Sequence, residues 1–223
     1  MKNSLKSLLL ATTAATVMTS TAAVAYEAGD ILIKGGAAQV APNEDSGTLS
    51  PLGAGGAKVD NDVQLGLTLT YMYTDKIGIE LLAATPFQHN VAGTGAVAGV
   101  DVASIKHLPP TLTLNYYFAD ANSKLQPYVG AGINYTIFFD EDASASYEKI
   151  TGSTDVDLDD SWGLAFHAGI DYQLNEKWSL NAGYWYLDID TEATMKSSGA
   201  LGTQKVDVDI DPDVFMVGLS YKF

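Results

Sequence analysis

The chain has 223 residues, no cysteine and a formal net charge of −15 at pH 7, and its basic residues are all lysine. Without cysteine the protein cannot form disulfides, so its fold must be stabilised in another way. The acidic balance argues against a nucleic-acid partner, because contacts to phosphate need a basic surface.

The first 25 residues differ in composition from the rest of the chain. Two lysines precede a short apolar run, and the small residues Ala23-Val24-Ala25 follow. This order is typical of a secretory signal peptide, and the apolar run is too short to span a membrane as a helix. We therefore predict a cleaved signal peptide over residues 1–25 and a single mature domain over residues 26–223 that leaves the cytoplasm.

Beyond residue 25, apolar and polar residues alternate in one segment after another. A period of two indicates β-strands. The connections after the second, fourth and sixth strands are short, whereas the others are long and rich in Gly, Ser, Ala or acidic residues. Short turns at one end and long loops at the other are typical of an outer-membrane barrel. We predict eight strands at approximately Asp30 to Pro42, Val59 to Thr74, Ile77 to His89, Ile105 to Phe118, Leu125 to Phe139, Leu158 to Gln173, Trp178 to Glu192, and Val206 to Phe223.

The apolar face of these strands ends in aromatic residues. In the second strand Leu67 and Leu69 share a face with Tyr71, opposite Thr68. Aromatic residues at the ends of an apolar face are typical of strands that face lipid. The predicted fold class is therefore all-β, an eight-stranded antiparallel transmembrane β-barrel of the bacterial outer membrane. The alternative is a soluble lipocalin-like barrel or sandwich with its apolar faces inward.

Several long runs carry a more specific signal than the alternation does. They are QLGLTLTY (64–71), IGIELLAATPF (77–87), HLPPTLTLNYYF (107–118), PYVGAGINYTIFF (127–139), DSWG (160–163) and WYLDIDT (185–191). These runs resemble the outer membrane protein W (OmpW) family over nearly the whole mature chain. The resemblance implies a barrel with a narrow hydrophobic lumen that admits small hydrophobic compounds and passes them sideways into the membrane. The C-terminal Phe223 also resembles the signal that the outer-membrane assembly machinery recognises, so we expect that machinery as a partner.

Two large apolar residues fall on the inward faces of the predicted strands. Successive residues of a strand face inward and outward in turn, and we call this alternation the parity of the strand. By parity, Leu82 faces inward with Glu80, and Trp185 faces inward with Asn181. The family resemblance implies a hydrophobic constriction of the lumen at Leu82 and Trp185. Alternatively, both residues only fill the interior, since an eight-stranded barrel is just wide enough for side chains.

Pro109 and Pro110 stand at the start of the strand that follows them. Proline has no N–H to donate to a neighbouring strand, so the ladder of hydrogen bonds must be interrupted there. In a membrane barrel we interpret this interruption as a lateral opening between the interior and the lipid. The alternative is that the two prolines simply begin a strand.

The inward positions also include charged residues. Because buried charges must be paired, we expect Lys34, Glu80 and His167 to form an inward polar plug. The sequence has no zinc-ligand spacing, no phosphate-binding loop and no G-x-S-x-G element. We therefore predict no enzymatic activity, no catalytic residue, no metal and no cofactor.

The alternation inverts beyond the predicted membrane segment. Asp188 and Asp190 take the outward parity, which leaves Leu187 and Ile189 inward. The resulting acidic rim around an apolar mouth has two interpretations: carboxylates that bridge divalent cations to lipopolysaccharide, or simple solvation. The sixth strand departs from this pattern, because the parity of its later residues predicts an inward orientation for Asp155, Asp157 and Asp159.

Two functional hypotheses follow from these features. The first is a channel for passive uptake of small, mainly hydrophobic molecules, with lateral release into the membrane. Its partners would be these solutes, the outer-membrane lipids and lipopolysaccharide. The second is a non-conducting barrel that acts through its long extracellular loops in adhesion, stress resistance, or phage or colicin docking. The apolar mouth and the prolines favour the first hypothesis, and the narrow interior favours the second.

Overall fold

A computed structural model describes residues 26–46, 56–95, 98–120 and 123–223. The predicted signal peptide, residues 1–25, lies outside these ranges. The described residues form fifteen strands in one continuous sheet and a single short helix, α1 (Ala145–Thr151). No helix in the described ranges is long and apolar enough to span a membrane.

Eight of the strands close into an antiparallel barrel, which confirms the predicted fold class. Each of them pairs with the next in the ring, and the first pairs with both the second and the last, so the ring has no free edge. The eight strands are β1 (Ile31–Ala41), β4 (Asp62–Met72), β5 (Ile77–Ala84), β8 (Thr111–Tyr117), β9 (Leu125–Ala143), β11 (Ser161–Gln173), β12 (Trp178–Leu187) and β15 (Asp213–Lys222).

Glycine permits the close approach of backbones at the seam of the barrel. Gly36 of β1 is opposite Gly218 of β15 on one side and Gly66 of β4 on the other. A Cβ atom on Gly36 would lie 2.1 Å from the carbonyl oxygen of Val217. Any larger residue would therefore push the seam strands apart.

The outer face of the barrel is a continuous apolar belt. On β4, Leu65, Leu67 and Leu69 are exposed, whereas Thr68 and Thr70, at alternate positions, are buried. Exposed aliphatic side chains on every barrel strand would be unfavourable in water but suit the hydrocarbon of a membrane. The predicted parity of the strands is thus confirmed.

The remaining strands extend the barrel beyond the apolar belt, at the end opposite the short turns. They pair with one another and with the second half of β9, which runs through both parts. We call this part the extracellular extension. Its strands are β2 (Asp45–Ser46), β3 (Ala57–Val59), β6 (Phe87–Gly93), β7 (Asp101–Leu108), β10 (Thr154–Leu158), β13 (Asp190–Ser197) and β14 (Thr203–Asp209).

Four of the predicted strands are divided where they enter the extension. The breaks fall at residues 85–86, 109–110, 188–189 and 210–212, and further breaks at residues 60–61 and 159–160 separate β3 from β4 and β10 from β11. Each break allows the side-chain parity to be reset. Consequently the inward orientation expected for Asp155, Asp157 and Asp159 is wrong: all three are exposed, and Val156 and Leu158 are buried instead.

The depth of the apolar belt predicts how a charge on the outer face affects stability. Replacing Leu67, in the middle of β4, by Arg should lower the free energy of unfolding by about 2–4 kcal/mol, because the guanidinium must enter hydrocarbon. Val63 is on the same face near the end of the strand, so Val63→Arg should lower the free energy of unfolding by only about 0–1 kcal/mol. Urea unfolding in lipid vesicles measures both. Equal costs at the two positions would contradict the placement of the belt.

Candidate functional site

The extracellular extension encloses an apolar cavity. The volume open to the centres of water-sized molecules inside it is about 90 Å³. The wall is built from side chains of nearly every strand of the extension, and two histidines, His89 and His107, are its only polar side chains among the described residues. Representative apolar wall residues are Val40, Val91, Ile105, Met195, Val208 and Ile210.

The inverted alternation of the last strands produces this apolar wall. Val206 and Val208 of β14 line the cavity, whereas Asp207 and Asp209, which alternate with them, are exposed. Similarly, Ile189 is fully buried beside the cavity, as its inward parity predicts. The extension therefore has a polar exterior in water and an apolar interior, the reverse of the membrane-embedded barrel below it.

Leu82 and Trp185 lie beneath the cavity. Leu82 is 4% exposed, Trp185 is 1% exposed, and both belong to the same buried cluster as the cavity wall. The indole of Trp185 stacks on the imidazole of His167, with ring centroids 4.0 Å apart and an angle of 14° between the planes. The buried residues Leu82 and Trp185 thus connect the apolar cluster of the cavity wall with a layer of polar residues, and we call them the floor.

The polar layer below the floor joins Lys34, Glu80 and His167, the three residues expected in the plug. Lys34 Nζ lies 3.0 Å from Glu80 Oε2, and His167 Nδ1 lies 3.2 Å from Glu80 Oε1. Thr70 donates a further hydrogen bond of 2.7 Å to the same carboxylate. All these side chains are buried, so the layer fills the interior of the barrel.

Sequence reasoning did not include Asp171, Tyr26 and Tyr128 in this layer. Asp171 lies 3.8 Å from Lys34 Nζ and accepts hydrogen bonds from the Tyr26 hydroxyl (2.7 Å) and from Asn181 (2.7 Å). Tyr128 contributes its hydroxyl 3.0 Å from Lys34 Nζ. Strand parity would have placed Asp171 and Tyr128 inward, but their partners lie on strands that are distant in sequence.

Pro109 and Pro110 lie between β7 and β8, at the boundary of the barrel and the extension. The ladder between β5 and β8 ends at the pair Leu82 and Thr111, and pairing resumes only between Phe87 and His107. Residues 83–86 and 108–110 therefore have no backbone pairing with each other. We call this interruption the ladder gap. It begins at the level of Leu82, the floor of the cavity.

The two histidines of the cavity wall contact each other. His89 Nε2 lies 3.0 Å from His107 Nε2, and His89 Nδ1 lies 2.6 Å from the carbonyl oxygen of Asp60. Phe87 and Phe138 flank the His107 ring at centroid distances of 5.6 and 6.0 Å. Burial, reinforced by the neighbouring His89, lowers the pKa of His107 to about 3. His107 is therefore neutral at physiological pH.

The acidic rim is densest around Asp188, Asp190 and Asp211. One carboxylate oxygen from each lies within 4.8 Å of the others. Partial burial, then the proximity of Asp209, Asp188 and Asp211, raises the pKa of Asp190. Tyr186 donates a hydrogen bond of 3.0 Å to Asp211, which has a positive φ of 37° at the break before β15.

Removing the lysine from the polar layer should strongly destabilise the barrel. In Lys34→Met the carboxylates of Glu80 and Asp171 lose their cation in a dry interior, which should cost about 3–5 kcal/mol in urea unfolding. The double variant Lys34→Met/Glu80→Gln should recover part of this loss. As a control, Lys106→Met removes a half-exposed ion pair with Asp140 and should cost less than about 1 kcal/mol. Equal costs for the two lysines would contradict the paired interior.

The pKa of His107 predicts how stability depends on pH. In the unfolded chain a histidine binds a proton below about pH 6.5, whereas folded His107 does so only near pH 3. Stability should therefore fall as the pH is lowered through this window, by about 2–3 kcal/mol between pH 7 and pH 4. His107→Phe should remove that part of the slope in unfolding measurements at each pH. An unchanged slope would mean that folding does not change the pKa of His107.

Comparisons with known proteins agree with this architecture. The sequence profile of the OmpW family matches residues 27–223. Outer membrane protein W of Escherichia coli (strain K12) is 50% identical over 220 residues, which cover 98% of this chain and 100% of that protein. The dibenzothiophene metabolism operon protein PahQ of Pseudomonas aeruginosa is 30% identical over 171 residues, 76% of this chain and 75% of that protein.

A solved structure shares the fold closely. The crystal structure of the outer membrane protein OprG from Pseudomonas aeruginosa matches with a TM-score of 0.82 at 48% identity, covering 89% of this chain and 98% of that chain. Outer membrane protein W and OprG are outer membrane proteins, which places this chain in the bacterial outer membrane. Since the family profile and the relatives span almost the whole described chain, the protein belongs to the OmpW family.

Proposed function

We propose that this protein is a passive entry route for small, mainly hydrophobic molecules, which it releases sideways into the outer membrane. The observation that carries this proposal is the apolar cavity of the extracellular extension, which lies directly above a floor and a filled polar layer. An apolar solute in the cavity is shielded from water by Val, Ile and Met side chains, so its transfer from water is favourable.

The polar layer favours a lateral exit over passage along the barrel axis. An apolar solute that moved past Leu82 and Trp185 would have to displace Lys34, Glu80 and their partners from one another. Separating these buried charges is costly, because no water replaces the lost contacts. In the proposed route, Leu82 and Trp185 therefore act as a floor that stops the solute at the level of the ladder gap.

The ladder gap provides the exit in this proposal. Pro109 is buried on the inner side and Pro110 is half-buried, and neither has an N–H with which to close the ladder. On the opposite side, Ala83, Ala84 and Thr85 are small, so this part of the wall presents little bulk. A solute leaving the cavity at this height would enter the outer part of the apolar belt and hence the lipid.

The name of one relative supports a hydrophobic substrate class. PahQ belongs to an operon named for the metabolism of dibenzothiophene, an uncharged aromatic compound, and that compound suits a cavity with an apolar wall. The lipids and lipopolysaccharide around the barrel would receive the solute. Phe223 is exposed at the end of the last strand, and we expect it to be recognised by the assembly machinery.

A second candidate function is a non-conducting barrel that acts through its extracellular extension in adhesion or docking. The filled interior favours this alternative, because a barrel whose lumen is occupied by side chains does not conduct. The two functions differ in one measurable respect: only the first requires solute to move from the cavity to the lipid.

The experiment compares solute delivery into vesicles whose outer leaflet is lipopolysaccharide. A small uncharged aromatic fluorophore and its sulfonated analogue are added outside, and fluorescence reports arrival in the bilayer. The protein should accelerate delivery of the uncharged compound alone. The double variant Pro109→Val/Pro110→Val supplies the missing N–H groups and should slow delivery to the rate of protein-free vesicles.

Pro127→Val serves as the matched control, because Pro127 lies within the barrel strand β9, away from the gap. It should deliver the fluorophore at the rate of the unmodified protein. Amide hydrogen exchange confirms whether the ladder has closed in the double variant. Undiminished delivery through a closed ladder would refute the lateral exit, and no delivery by the unmodified protein would favour the non-conducting alternative.

A further inference from the structure

We propose that Phe87 is the gate of the ladder gap and that its ring limits the size of the molecules that leave the cavity there. This inference rests on the proposed function, because it names the side chain that controls the proposed exit. Three features support it: the position of Phe87 on the inner face of β6, its contacts with the neighbouring strand and the small size of the other residues around the gap.

Phe87 stands between the cavity and the ladder gap. Along the inner face of β6, Val91 and His89 line the cavity, and Phe87 is the next residue on that face toward the gap. It follows Pro86 directly, at the first position where β6 pairs with β7. Phe87 is 2% exposed and is not among the described residues of the cavity wall. A molecule that moved from the cavity to the gap along β6 would therefore meet this ring.

A row of three rings crosses the inner face just above the gap, and Phe87 stands at its end. Phe87 is opposite His107 of β7, and His107 is opposite Phe138 of β9. The ring centroids are 5.6 Å apart in the first pair and 6.0 Å apart in the second. His107 is thus flanked on both sides and also contacts His89. Phe87, at the end of the row, can turn without separating the other two rings.

The other residues around the gap are small or rigid. Residues 83–85 on the β5 side are two alanines and a threonine, and Pro109 and Pro110 stand on the β8 side. A proline ring cannot swing aside, because it is bonded to its own backbone nitrogen. The Phe87 ring, in contrast, moves by rotation about its side-chain bonds without any change of the backbone. The position of this ring therefore determines how wide the exit is.

Burial of the ring keeps the gate closed. Turning Phe87 out of its packed position gives up apolar contacts, so the open state should be about tenfold to hundredfold less populated than the closed one. A solute leaves only while the ring is turned aside, so the rate of delivery follows the population of the open state. A large solute needs a larger displacement of the ring than a small one. Phe87 therefore selects by size.

The test measures delivery of two uncharged aromatic solutes, naphthalene and pyrene, by the full-length mature protein in vesicles whose outer leaflet is lipopolysaccharide. The fluorescence of each solute reports its arrival in the bilayer. Phe87→Ala removes the ring and should accelerate the delivery of pyrene about tenfold. Naphthalene should gain less, because the smaller solute is less limited by the ring. Phe87→Leu should give intermediate rates, and it tests the gate even if Phe87→Ala does not fold.

Leu187→Ala is the matched control. Leu187 is fully buried in the same apolar cluster as Phe87, but it ends β12 on the opposite side of the ring. It is not among the described residues of the cavity wall. The variant also leaves a hole at the boundary of the barrel and the extension, so an effect of loosened packing would appear in it too. We expect it to deliver both solutes at the rates of the unmodified protein. The slower migration of boiled protein on SDS gels verifies that each variant is folded.

The outcomes separate this inference from the function on which it rests. Equal rates for the unmodified protein and the folded Phe87 variants would overturn the gate and leave the lateral exit standing. An equal acceleration by Leu187→Ala would also overturn it, because the effect would then come from loosened packing. If neither the unmodified protein nor the Phe87 variants deliver either solute, the proposed function itself fails.

Discussion

A chain that crosses lipid with strands must satisfy every backbone N–H and C=O within its own sheet, because hydrocarbon offers no hydrogen-bond partner. In this protein β1 meets that requirement by pairing with β4 on one side and β15 on the other, which leaves the ring without a free edge. Closure also determines the two faces of every strand. Leu67 and its neighbours must then face outward, and everything polar must fit inside.

Closure with only eight strands leaves a narrow interior, and that has consequences for function. The interior is occupied by side chains, with Trp185 above a layer in which Lys34 pairs with Glu80 and Asp171 and contacts the hydroxyl of Tyr128. This layer contributes to stability only while its charges remain paired, so it cannot readily open. The apolar cavity therefore lies beyond the apolar belt, where the strands continue and their apolar faces turn inward.

The transition between the two environments depends on breaks in the strands. Along an uninterrupted strand the same alternate positions face outward throughout. The positions that face lipid in the barrel would therefore face water in the extension unless a break resets the alternation. Pro86, Pro109–Pro110 and Pro212 interrupt pairing at the boundary, and Asp159–Asp160 interrupts it between β10 and β11. The breaks have a second effect at Pro109 and Pro110, where they also leave β8 and β5 unpaired above Leu82. The same local property thus serves both the change of environment and the proposed exit.

The sequence by itself determined the number of barrel strands, their lipid-facing residues and the inward orientation of Leu82, Trp185, Lys34, Glu80 and His167. These features follow from a period of two, which is a local property of an extended chain. Only the tertiary structure decided which inward residues meet. Asp171 joins Lys34 and Tyr26 across the barrel, and His89 contacts His107 from a neighbouring strand. The period of two likewise did not predict the breaks in the strands, and for that reason it gave the wrong orientation for Asp155 and Asp157, which face outward. Parity is set within a strand, whereas partners depend on register, on closure and on where a strand is interrupted, and those are properties of the whole sheet.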